Sequence, residues 1–165
     1  MKPIFLFLFL IPTLAFSQSS AYIKFNIGST YTKGYDPIYE LRADGGIRIQ
    51  KDILLGIGAG LTKFKHVDPL YIPVFANFTY AYHSENKAFP LITIQPGYGI
   101  FKQQITEGTS TYNQKGGFCY FAGGGVGFSS KHKMKSLVQI GYNSFTFKNP
   151  STTPGGFSVK LGLSF

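Results

Sequence analysis

Between Ala21 and Phe165 the dominant pattern is segments in which apolar and polar side chains alternate at every second position, a period that a β-strand resolves onto two faces and a helix does not. Eight segments carry it, over about residues 21–30, 39–50, 53–63, 71–83, 88–101, 117–130, 135–146 and 157–165. The second sets Tyr39, Leu41, Ala43, Ile47 and Ile49 against Glu40, Arg42, Asp44, Gly46, Arg48 and Gln50. In the last, Phe157, Val159, Leu161, Leu163 and Phe165 alternate with Ser158, Lys160, Gly162 and Ser164. An aromatic content of 17%, all Phe and Tyr, and 20 glycines agree with strands joined by turns.

Alternation by itself fits a sandwich, a lipocalin or a membrane barrel, since each buries one strand face. Three further features choose among them. The connections alternate in length: long at 31–38, 64–70, 102–116 and 147–155, short at 51–52, 84–87 and 131–134. An up-and-down barrel with both termini in the periplasm has this form. Along the apolar faces, Tyr31, Tyr39, Tyr98, Phe118, Tyr120, Tyr142 and Phe157 fall near the long connections. Tyr80, Tyr82, Phe128 and Phe165 fall near the short ones, with aliphatic residues between. Two aromatic girdles flanking an aliphatic belt suit rings seated at both headgroup levels. The other face is Gly, Ser, Thr, Asn and charge with few bulky apolar groups, the reverse of a lipocalin interior. The expected fold is therefore all-β, an eight-stranded antiparallel up-and-down transmembrane β-barrel, its interior filled by side chains.

The N-terminus supports export. Lys2 precedes an apolar run from Ile4 to Phe16, and Ala15-Phe16-Ser17 supplies small residues before a cut after Ser17. The expectation is a signal peptide at 1–17 and a barrel domain at 18–165. The run, broken by Pro12, is too short to span a bilayer as a helix of about 20 residues. Cys119 is the single cysteine, so no intramolecular disulfide is possible, and it reads as a small buried side chain.

With these features in hand, the chain resembles the small outer-membrane β-barrel family, of the eight-stranded kind represented by the OmpA transmembrane domain and OmpX. The resemblance rests on the leader, on Tyr71-Ile72-Pro73-Val74-Phe75-Ala76-Asn77-Phe78, on Gln95-Pro96-Gly97-Tyr98-Gly99, on Gly123-Gly124-Gly125-Val126-Gly127-Phe128 and on the terminal Phe165. It implies the outer membrane of a Gram-negative bacterium and a monomer. It also implies that Phe157, Val159, Leu161, Leu163 and Phe165 form the segment read by the barrel-assembly machinery. Because the chain stops at Phe165, no peptidoglycan-binding domain like that of full-length OmpA is expected.

Candidate chemistry is sparse. Lys24, Glu40, Arg42, Asp44, Arg48 and Lys160 face inward on the first, second and eighth segments, which adjoin once a barrel closes. Charges in a narrow interior persist only when paired, so Glu40 and Asp44 are expected to meet Arg42, Lys24 or Lys160 and plug the lumen. A gated ion path is the competing reading of the cluster. His66 and Asp68 lie in one long connection, with Ser144 or Thr146 as distant partners; His83, Ser84, Ser130 and His132 lie at short turns. No catalytic motif emerges from them, and no enzyme activity, cofactor or metal is expected.

The net charge of +9 is scattered rather than gathered on one face, which argues against nucleic acid as a partner. Lys33, Lys63, Lys65 and Lys102 fall near the outer rim, and Lys63, Lys65 and Lys102 are candidate contacts for lipopolysaccharide phosphates. Lys131, Lys133 and Lys135 gather at one short turn. Residues 102–116 read as a solvated surface loop. The function expected is a non-enzymatic structural or surface-interaction role. Against it stand a lipid A-modifying enzyme or narrow channel on the same barrel, and a soluble periplasmic lipocalin-like binder.

Overall fold

The computed structural model describes residues 20–33, 36–49, 52–65, 70–107, 110–130, 134–148 and 151–165. The expected leader at 1–17 lies outside them. The strands are β1 (Ser20–Tyr31), β2 (Ile38–Ile49), β3 (Ile53–Lys63), β4 (Ile72–Ala81), β5 (Ala88–Ile100), β6 (Lys102–Glu107), β7 (Ser110–Ser129), β8 (Lys135–Lys148) and β9 (Gly155–Ser164). Every neighbouring pair is antiparallel. β6 prolongs β5 past Phe101, so these strands make eight staves, and pairing of β1 with β9 and of β5 with β7 closes the barrel. At the seam Phe165 accepts from Ile23 N at 3.3 Å and donates to Ile23 O at 2.9 Å. Closure leaves no free edge along the barrel wall.

The expected eight-stranded barrel is thus observed, with one departure at residues 102–116. That stretch is not a loop: β6 pairs with the first half of β7 in register from Lys102 opposite Lys115 to Glu107 opposite Ser110. β8 likewise runs past Phe145 to Lys148, which pairs with Lys115. A two-stranded tongue of β6 and β7, joined at its base by the end of β8, therefore extends the wall at the long-connection end. Its residues are mostly polar, as in Gln103, Gln104, Asn113 and Gln114, so the alternation that marks the other strands is missing.

Burial is inverted relative to a water-soluble barrel. Ile27, Ile57, Ile92, Ile100 and Leu161 point outward and are more than half exposed, whereas Lys24, Arg42 and Lys160 are at most 2% exposed. Tyr31, Tyr39, Tyr98, Phe118, Tyr142 and Phe157 form an exposed ring toward the long connections. Tyr80, Tyr82, Phe128 and Phe165 form another toward the short turns.

The lumen holds more apolar bulk than the sequence suggested. Tyr22, Leu54, Ala81, Phe89, Leu91 and Leu137 pack together at the short-turn end. Ile38, Tyr71, Phe101, Cys119, Phe145 and Phe147 pack at the other end, with Phe64 against them. Edge-to-face contacts at 5.1 to 5.5 Å bind Tyr71, Phe101, Phe145, Phe147 and Phe64 into one stack. Glycines on neighbouring staves receive several inward rings. A Cβ on Gly99 would collide with the Tyr71 ring, and one on Gly127 with the Phe89 ring. The glycine content is therefore a packing requirement of a narrow barrel with aromatic ends.

Candidate functional site: the luminal charge layer

Between the two apolar clusters lies a buried polar layer built mainly on β1, β2 and β9. Strand register brings its charges together. Lys24 stands directly opposite Asp44, and Gly28 stands opposite both Glu40 on one side and Lys160 on the other. Since Gly28 has no side chain, Lys160 reaches across it: a Cβ there would lie 2.8 Å from Lys160 Cγ. Lys160 Nζ comes to 3.4 Å from Glu40 Oε1 and 3.7 Å from the centre of the Phe121 ring. On the other flank β3 is a comb of glycines, and Arg42 and Asp44 lie across from Gly60 and Gly58. The short turn after a charged strand and the Gly-X-Gly-X-Gly of β3 were the sequence signals for this fit.

Arg42 is the hub. Its Nε donates to Glu40 Oε2 at 2.7 Å, Nη1 to Gln95 Oε1 at 3.0 Å and Nη2 to Asn143 Oδ1 at 3.1 Å, while its Cζ sits 5.2 Å from the Phe75 ring centre. A planar fork spread over three acceptors is what guanidinium does and ammonium does not. Glu40 Oε1 also accepts from Asn143 Nδ2 at 2.9 Å and Ser158 Oγ at 3.2 Å.

A second group centres on Asp44 and Asn77. Lys24 Nζ lies 3.4 Å from Asp44 Oδ2 and donates to Asn77 Oδ1 at 3.0 Å. Tyr22 Oη donates to Asp44 Oδ2 at 3.1 Å and accepts from Asn77 Nδ2 at 2.9 Å. Gln95 joins the two groups, accepting from Arg42 and donating through Nε2 to Asn77 Oδ1 at 3.0 Å. From there the network continues through Thr79, Thr93 and Gln139 to β8. Asn77, Gln95, Gln139 and Asn143 are the members that charge patterning missed, because amides on β4, β5 and β8 gave no sign of which strand would face them.

Five of the six inward charges expected from sequence thus share one network; Arg48 does not. It lies nearer the short turns beside Leu54, Phe89 and Lys135, and its Nε has no hydrogen-bond partner. The network holds three cations, Lys24, Arg42 and Lys160, against the carboxylates of Glu40 and Asp44. What this arrangement does chemically is fill and cross-link: it ties β1, β2, β4, β5, β8 and β9 across the lumen and offers no water-exposed nucleophile.

The remaining candidates are dispersed. His66, Asp68, Lys131, His132 and Lys133 lie outside the described residues. His83 occupies the turn after β4 with φ of 50°, its ring edge-on to Tyr82 at 4.1 Å, and neighbouring Ser84 donates its backbone N–H to Asp52 Oδ1 at 3.1 Å. These are turn contacts. Ser144 is buried in β8, in register with Tyr120 and Gly155. Cys119 is buried among the aromatic rings of the outer cluster. Of the rim lysines, Lys65 pairs with Asp36 at 2.9 Å and Lys63 stands opposite Tyr39 on β2.

No protein-family model matches the chain, and no curated protein matches it by sequence. Solved structures do match. Neisserial surface protein A, from Neisseria, superposes with a TM-score of 0.67 at 13% identity, covering 88% of this chain and 97% of its own. The N-terminal β-barrel domain of Pseudomonas aeruginosa OprF gives 0.56 at 9% identity, with 90% and 100% covered. At these identities the likeness is one of fold, and the fold is the small eight-stranded barrel of outer-membrane proteins.

Proposed function

We propose that this chain is an integral outer-membrane barrel with a structural or surface-interaction role. The observation that carries it is the inversion of the wall: an exposed aliphatic belt between two aromatic rings, around a lumen whose central charges share one network between two apolar clusters. In water that belt would be an aggregation surface; in hydrocarbon it is the solvated face. The fold shared with two barrels of bacterial surfaces supports the same location. A soluble lipocalin-like binder would need an apolar ligand cavity at mid-barrel, where ion pairs and amides lie instead.

The reading includes export through removal of residues 1–17, and assembly through Phe157, Val159, Leu161, Leu163 and Phe165. Expression in a Gram-negative host tests it. The expected product begins at Gln18 by intact-mass measurement, fractionates with outer membranes and migrates differently on gels before and after boiling. A soluble periplasmic product would overturn the membrane assignment.

A further inference from the structure

Strand register at the tongue creates an arrangement that sequence spacing conceals. Lys102 on β6 stands directly opposite Lys115 on β7, and Lys115 stands directly opposite Lys148 on β8. All three are exposed. Lys102 continues the outward-facing series of Tyr98 and Ile100, so the row lies one step beyond the outer aromatic ring. Lys148 Nζ sits 5.7 Å from the centre of the Tyr98 ring. None of the three has a carboxylate partner among the described residues.

Like charges directly opposite on adjacent strands repel. Here the repulsion occurs twice in one row, on paired strands rather than on loops free to splay, with a β-bulge between Gly116 and Cys119 just below it. Lysines at such positions oppose folding of the tongue unless an anion lies across them. In the membrane reading, on which this inference rests, the level just above an aromatic ring is that of lipid phosphates.

We propose that Lys102, Lys115 and Lys148 form a seat for the phosphate-bearing headgroup of an anionic lipid in the outer leaflet. The three ammonium groups span neighbouring strands about 5 Å apart, a width that suits several oxygens of one headgroup or two adjacent phosphates. The Tyr98 and Phe118 rings, paired in register below the row, flank the upper part of the acyl chains. Lys102 was expected, with Lys63 and Lys65, to contact lipopolysaccharide; the register adds Lys115 and Lys148 beside it.

The test uses the mature chain folded into phosphatidylcholine nanodiscs doped with lipid A, and native mass spectrometry to count lipid A retained. Each single Lys→Gln change in the row should weaken retention about fivefold, the scale of one cation at an anionic surface. The triple variant K102Q/K115Q/K148Q should abolish it. A control triple of equal charge change, K33Q/K63Q/K65Q, should leave it within about twofold. Thermal unfolding gives a second readout: the row triple should melt no lower than the parent in phosphatidylcholine alone, and lower than the parent once lipid A is present. Equal loss in both triples, or equal retention in all, overturns the seat. So does protection by inorganic phosphate equal to that by lipid A, since the site would then take a free anion. A parent chain that fails to insert into nanodiscs refutes the membrane reading instead, which keeps the two failures distinct.

Discussion

Glu40 serves two cations while Lys160 has only one charged partner, and this asymmetry sets opposite consequences for their removal. Lys160 Nζ approaches Glu40 at 3.4 Å but makes no hydrogen bond, and its remaining contact is the Phe121 ring. Replacing it by Met keeps the volume and the ring contact while removing a charge from a layer that already carries one cation too many. Burying a charge is costly when its pairing is incomplete, so Lys160→Met is expected to fall within about 1 kcal/mol of the parent or above it. Glu40→Gln leaves Arg42 and Lys160 facing each other with one carboxylate, Asp44, remaining in the layer. It should cost about 3–5 kcal/mol, as for other broken buried pairs. Urea unfolding in micelles, followed by far-UV circular dichroism because the chain has no Trp, measures both. Equal losses from the two substitutions would mean that the layer is not organised around Glu40.

At the level of the strand, β9 separates stability from assembly. Phe165 closes the barrel through its backbone, by the two hydrogen bonds to Ile23, and its side chain is 56% exposed. Phe165→Ala should therefore change unfolding in micelles by less than about 1 kcal/mol. If the terminal aromatic is the feature that assembly reads, the same variant should reach the outer membrane several-fold less in cells; equal yields would remove that role. The outward faces of β1 to β5 and β7 to β9 were legible in the sequence because lipid demands apolar residues at every second position. Where that demand stops, so does legibility. β6 and the first half of β7 lie beyond the belt, carry mostly polar residues, and read as loop. Phe145 and Phe147 point inward at the end of β8, beside Ser144 and Thr146, and the eye trained on a polar lumen passes over them. Register was not legible at all, which is why Arg48, facing inward like the other charges, gave no sign that it would lie apart from their network.

For the molecule as a whole, the question is whether a lumen so rich in charge conducts. An ion entering from the long connections meets an apolar stack first, of Tyr71, Phe101, Phe145 and Phe147, and one entering from the short turns meets the cations of Arg48 and Lys135 beside Phe89, Leu91 and Leu137. Beyond them lies a layer in which Arg42 is held by three acceptors from β2, β5 and β8, so opening a path requires breaking several bonds in concert rather than turning one side chain. Eight staves give an interior just wide enough for such filling. Planar-bilayer recording should accordingly find no steady conductance in the parent, nor in Glu40→Ala. Removing one carboxylate leaves the outer aromatic stack in place and adds to the positive charge beneath it. Clearing the outer stack with Phe145→Ala and Phe147→Ala should still give no conductance. Only when Arg42→Ala is added to those two changes should ion passage appear, because layer and stack block in series. Conductance in the parent, or in Glu40→Ala alone, would show that the charge layer moves as a gate and would replace the plug by a channel.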